Sequence, residues 1–278
     1  MEHDTVALMK PSLAIAGLVA AAAVLGSTSD VQAAGHANGL GEKGQFILSA
    51  DRLVPLFNYT YASVTETQNN VDLTDSKSGT GISLLFGRNL AVDDSSGFSV
   101  PVNVHAIPRV ALDVTIIPRL TLGAAIAFGF GLGGTNENEN LAPGGGKTST
   151  KTDAPTATAI GLAPRVGYIL PLGDIVAFWP RLGFGFYSVS GSREIVTGAS
   201  TTTIRGTDTL FSLDLDPQFV LVPYEHFFIH GGPVVNIPIS GTRSEARTTG
   251  ARTDETSTDA SLFNLGLSLG IGGWLNVF

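Results

Sequence analysis

Four Pro-Arg steps stand out in this chain of 278 residues. Three lie inside apolar stretches, at Pro108-Arg109, Pro164-Arg165 and Pro180-Arg181, and a fourth, Pro118-Arg119, sits in a turn. Asp51, Asp113, Asp214 and Asp216 are set among apolar residues in the same way. Guanidinium and carboxylate groups in such surroundings have two uses. They pair with one another where water is scarce, because an unpaired buried charge is costly, or they line a polar path. Other motifs carry less. Gly129–Gly134 has GxGxxG spacing, but Thr135-Asn136-Glu137 follows where a dinucleotide site needs a helix. Gly144–Thr148 ends as a phosphate loop does, yet Leu141 stands where the first glycine is required. Glu137 and Glu139 lack the spacing of a Ca²⁺ loop. His226 and His230 share a face if both lie in one strand. A lipid-modifying site needs a nucleophile beside a base, and His105 with Ser99 or Ser63 is the pair to consider, although nothing in the spacing demands it.

The elements that hold these residues have a period of two. In 119–133, Leu120, Leu122, Ala124, Ile126, Phe128, Phe130 and Leu132 fall on one face, against Thr, Gly and Ala on the other. A helix would mix the two sets. The alternation recurs in 157–171, 175–189, 208–222, 226–241 and 260–278. In 208–222 it sets Asp214, Asp216 and Gln218 opposite the greasy row, and in 226–241 His230 and Asn236. Residues 103–117 put Val104, Ala106 and Val110 on the greasy face and His105, Arg109 and Asp113 on the other. The first strand spans 45–65, with a phase shift near Pro55 at a bulge. Large residues on one face and nearly none on the other fit a narrow barrel with an apolar outside. The fold expected is an all-β, eight-stranded, antiparallel up-and-down transmembrane β-barrel. Ten strands is the alternative, if 79–88 adds to the count. Short connections fall near 117–119, 172–175 and 223–226. Long polar ones span about 66–102, 134–156, 191–206 and 243–258, with Thr-rich tracts that stay mobile.

Residues 1–33 read as a cleaved secretory leader: the run Leu13–Leu25, then Val31-Gln32-Ala33 as the cleavage site. Met9-Lys10 makes a better basic start than Met1-Glu2-His3-Asp4, so either methionine can begin the chain. Residues 34–44 form a short periplasmic segment and 45–278 the barrel. The net charge of −8 argues against nucleic acid as a partner. With no cysteine, an exported chain must close by hydrogen bonds and packing. The mature part has no run of about 18 apolar residues, so no transmembrane helix is expected. Yet charge is low at 14% and Gly is high at 34.

Ser49-Ala50-Asp51-Arg52-Leu53, Ala163–Tyr168 (APRVGY), Trp179–Gly183 (WPRLG) and a terminal Phe278 carry a resemblance. On them the mature chain resembles the small OmpA-type or OmpX-type outer-membrane barrels, in particular the family called outer membrane β-barrel protein. The resemblance implies an eight-stranded barrel and no defined activity. Members of the broader group carry a peptidoglycan-binding domain after the barrel, and here the resemblance covers the barrel only. The terminal Phe resembles the signal read by the barrel-insertion machinery, although the row Leu265–Val277 runs one phase off it and Asn276 replaces an apolar residue.

These readings lead to an expectation. The chain is exported by the Sec pathway into the outer membrane of a Gram-negative bacterium, with both termini periplasmic, among lipid and lipopolysaccharide. Asp51, Arg109, Asp113, Arg165, Arg181, Asp214 and Asp216 form a lumen charge cluster that plugs the bore. No catalytic residue, metal or cofactor is expected. The role is structural or one of surface interaction with a ligand the residues do not name. A narrow passive channel is the alternative, and a lipid-modifying enzyme the third reading.

Overall fold

The computed structural model describes residues 39–68, 71–82, 104–131, 134–141, 147–153, 156–197 and 200–277. The expected leader and its cleavage site lie outside the described residues, as do Ser99 and Phe278.

Twelve strands are described: β1 (Gln45–Gln68), β2 (Val71–Ile82), β3 (Arg109–Ile117), β4 (Leu120–Gly131), β5 (Thr135–Leu141), β6 (Lys147–Asp153), β7 (Thr156–Tyr168), β8 (Leu170–Pro171), β9 (Val176–Thr197), β10 (Ser200–Tyr224), β11 (Phe227–Thr249) and β12 (Arg252–Asn276). Eight of them close a ring in the order β1, β3, β4, β7, β9, β10, β11, β12, every neighbour antiparallel and β12 returning to β1. Closure leaves no open edge along the ring. β2 stands off it, paired with the far half of β1, so it extends a hairpin and does not raise the count to ten. Residues 83–88 lie outside the described residues.

The alternation read from sequence sets the two faces. On β4, Thr121, Ala125 and Ala127 are buried, while Leu122, Ile126, Phe128 and Phe130 are exposed. β7 and β9 repeat it, with Leu162, Val166, Leu182 and Phe184 outside. The phase of β1 breaks as expected, at two places: the register slips between Ala50 and Val54 and again between Pro55 and Phe57. Residues 45, 47, 49 and 51 are buried before the slips, and 58 and 60 after them.

Three expectations are corrected. Residues 104–108 do not continue β3. Val104–Ala106 form a 3-10 turn, and Val104 is buried within the bore. Pro108, without an N–H, starts no ladder and constrains the residue before it. Residues 191–197, 200–206, 243–249 and 252–258 are not loops, because β9–β12 run on as paired strands well past the apolar belt. The same holds for Thr135–Leu141 and Lys147–Asp153, which pair as a hairpin. Thr favours strands, and its hydroxyls join across them, as between Thr202 and Thr249 at 2.8 Å. Finally, His226 lies in the β10–β11 turn at φ 64° and is exposed, so it shares no face with the buried His230.

The bore is filled in layers. At the short-turn end, Leu40, Ile47, Ile169, Trp179, Val222, Phe228 and Trp274 make an apolar cluster. Leu40 comes from residues 39–44, which fold into this mouth. Gly44 N donates to Thr115 O at 2.8 Å and Arg119 N to Gly41 O at 2.7 Å. Gln45 clasps the end shut: its Oε1 accepts from Gly41 N at 2.7 Å, and its Nε2 donates to Asn276 Oδ1 at 2.8 Å. At the other end Val104, Ile107, Tyr187, Val189, Leu210 and Leu262 form a second apolar cluster.

Candidate functional site: a charged layer across the bore

Between the two apolar clusters lie four arginines and four aspartates, all buried: Arg52, Arg109, Arg165 and Arg181 with Asp51, Asp113, Asp214 and Asp216. The seven residues singled out from sequence are among them. Strand alternation turns each inward, and the small residues opposite leave room. A Cβ on Gly183 would meet the Arg165 side chain, and one on Gly167 would meet Trp179.

Two groups share this layer. In the first, Arg165 grips Asp113 in a two-pronged pair, Nε to Oδ1 at 2.9 Å and Nη2 to Oδ2 at 2.5 Å, and its Nη1 also donates to Asp51. Arg181 Nη1 lies 3.2 Å from both carboxylate oxygens of Asp51. His230 Nε2 stands 3.1 Å from the same carboxylate, and Ser49 Oγ donates to it at 2.9 Å. His230 Nδ1 lies 3.2 Å from Gln218 Oε1, and Gln218 Nε2 donates to Pro233 O at 3.2 Å. In the second group, Arg109 pairs with Asp214 at 3.0 Å and donates to the Tyr187 hydroxyl. Asp214 also accepts from Ser212 at 2.7 Å and from Asn236 at 2.5 Å. Asp216 faces Arg181 in the β9–β10 register but pairs with Arg52, at 2.9 Å.

Aromatic rings mark the borders of the layer. Trp179 lies under Arg181 at 5.0 Å and under Arg165 at 5.8 Å. Tyr187 faces Arg109 at 5.3 Å. Such contacts let a cation border on apolar packing with less loss than a bare hydrocarbon would impose.

Arg52 was not legible from alternation. It follows Asp51 directly, and two consecutive residues of a regular strand face opposite ways. The bulge turns both inward. The available signal was the phase conflict itself, together with an arginine that regular alternation would have pressed against hydrocarbon. Tyr187 was missed too, because a tyrosine on the small-residue face reads as filler. Two of the other motif residues lie outside the layer's set of ion pairs. Glu137 binds Ser149 at 2.6 Å and Lys151 at 3.6 Å in the outer hairpin. His105 is buried, its ring edge-on to Tyr187 at 5.0 Å.

Chemically, the arrangement neutralises itself. Four cations meet four anions inside a bore that an eight-stranded barrel makes just wide enough for side chains.

No family profile and no curated protein matches the chain. Solved structures similar to it include a major outer membrane protein from Thermus thermophilus, at 12% identity over 79% of this chain and 99% of that one, with a TM-score of 0.42. Ail, the attachment invasion locus protein of Yersinia pestis, is 11% identical over 84% and 100%, with a TM-score of 0.31. The outer membrane protease OmpT from Escherichia coli is 9% identical over 83% and 97%, with a TM-score of 0.37. At such scores the description of the fold rests on the strand pairing itself.

Proposed function

We propose that this chain is an integral outer-membrane β-barrel of the small OmpA/OmpX type, with a sealed bore and a structural or surface-interaction role. The observation that carries the reading is the stacking inside the ring: a self-neutralised charged layer held between two apolar clusters. Water and solutes would have to break ion pairs in a low-dielectric bore to pass. The membrane setting is supported by the outside of the ring. Leu48, Leu122, Ile126, Phe128, Phe130, Ile160 and Phe219 are each more than half exposed, a poor surface for water and a good one for hydrocarbon. Tyr168 and Tyr224 sit at the short-turn end, where interfacial rings are favoured. In this reading the short turns and both strand termini face the periplasm. The polar extensions of β9–β12 face outward, as the part that meets other molecules. Lipid and lipopolysaccharide surround the belt, and the insertion machinery delivers the chain.

The alternative is a narrow passive channel. A catalytic reading would need His105 to reach solvent, and it is buried against Tyr187 of the upper apolar cluster. Proteoliposome swelling decides between seal and channel. Vesicles holding the refolded chain should swell in an isotonic pentose no faster than empty ones. Swelling that scales with protein content would favour the channel instead.

A further inference from the structure

Arg52 has a backbone that side-chain-bearing residues rarely adopt, φ 58°. Such an outlier, deep in a strand, invites a functional account. The register passes from Ala50↔Ile271 directly to Val54↔Leu269, so Asp51, Arg52 and Leu53 crowd opposite Gly270. A Cβ on Gly270 would meet Ala50 O and the His230 ring, so the glycine admits the bulge. The bulge sends Asp51 to one group of the charged layer and Arg52 to the other.

Arg52 does more than complete an ion pair. While Nη2 holds Asp216 at 2.9 Å, Nη1 donates to the main-chain carbonyl of His105. That carbonyl belongs to the 3-10 turn Val104–Ala106, which leaves the ladder and enters the bore. Val104 and Ile107 then pack against Tyr187, Leu210 and Leu262. On one side the wall contributes only Ala127 and Ala159, and on the other Tyr187, Val189, Leu210 and Leu262. The upper closure is therefore shared between the wall and an inserted segment that fills the space beside the two alanines. Among the described residues, the bond within the turn's own backbone is a long one, Ile107 N to Val104 O at 3.4 Å. The lower closure differs. Trp179, Phe228 and Trp274 belong to barrel strands and cannot leave without unpairing them.

We propose that Val104–Ile107 is a removable outer plug and that Arg52 is its latch. Releasing the guanidinium frees the segment to leave the bore, which opens the charged layer to the outer side while the lower closure stays shut. This rests on the sealed-bore reading above and adds a moving part to it.

The chain has no cysteine, so a single introduced thiol reports cleanly. Val104→Cys in proteoliposomes, exposed to a membrane-impermeant maleimide, should label slowly. Adding Arg52→Ala should raise the labelling rate about tenfold or more, the scale of one lost charge-assisted hydrogen bond. Asp216→Asn removes the ion pair but leaves the guanidinium on the His105 carbonyl, and should raise it less. Val222→Cys, in the lower closure, should stay unlabelled in both backgrounds. An unchanged labelling rate at position 104 in a folded Arg52→Ala barrel overturns the latch, and so does labelling at 222 that rises in step, which would mean general loosening. If Arg52→Ala does not fold, Arg52→Lys carries the test: it keeps the charge but lacks the fork that spans two acceptors, so faster labelling supports the latch and an unchanged rate rejects it. Failure of the latch leaves the swelling result untouched, whereas swelling by the parent protein removes the sealed bore from which the latch was argued.

Discussion

Asp51 is surrounded by three basic side chains, Arg165, Arg181 and His230, which makes it the hub of its group. The consequence is unequal dependence on its partners. Arg165 also carries Asp113, so Arg165→Ala strands that buried carboxylate and takes one partner from Asp51, and should destabilise the barrel by about 3–5 kcal/mol. Arg181→Ala leaves Asp51 with Arg165 and His230, and should cost less. Urea midpoints of the refolded variants in micelles, read by heat-modifiable gel mobility, give the order. If Arg181→Ala proved the worse of the two, Asp51 would not be the hub described. The pair Arg165→Ala with Asp113→Ala should be less than additive, because each loss already releases the other partner, with a coupling of about 0.5–3 kcal/mol. At this scale the sequence was informative wherever a charged residue sat in regular alternation. Arg109, Arg165, Arg181, Asp113, Asp214 and Asp216 followed from counting by two, and Arg52 did not, because a bulge suspends that count.

Elements show the same division. The eight strands and the three short turns were legible because apolar rows of six or seven residues admit only one phase, and a slip by one residue would turn every side chain over. Two kinds of segment were not. Residues 103–108 continue the alternation on paper, but Val104 is buried inside, and only Pro108 hinted that the ladder begins later. The outer parts of β9–β12 are rich in Thr, Ser and charge, which composition alone assigns to mobile loops. Cross-strand pairing overrides that assignment, and hydrogen exchange tests it. Amides in 202–207 and 243–248 should exchange far more slowly than free peptide, since they pair across β10–β11. Exchange at the rate of unstructured chain would return these segments to loops. Individual hydroxyl pairs matter little there: Thr202→Ala should cost under about 1 kcal/mol. Gly270→Ala is the opposite case. It drives a methyl into Ala50 O and the His230 ring, so destabilisation of about 1–3 kcal/mol is expected in the same urea assay. A neutral Gly270→Ala would mean that the bulge is looser than described.

Taken as a whole, the molecule turns a soluble protein inside out only in part. Its exterior is apolar, yet its interior is not simply polar, since apolar clusters cap both ends of the charged layer. The lower cap draws on residues 39–44 and the upper on 104–107, so both closures use chain from outside the eight strands. Those inserts explain how a ring lined by Gly and Ala avoids a void. They also make the central claim sharp, because a barrel of this size with either cap missing would hold a water-filled cup on that side of the charged layer. The most direct test is single-channel recording of the refolded chain in a planar bilayer. The account predicts a flat baseline at moderate voltage, with incorporation verified independently by protease protection. Steady, reproducible conductance steps from the parent protein would contradict it.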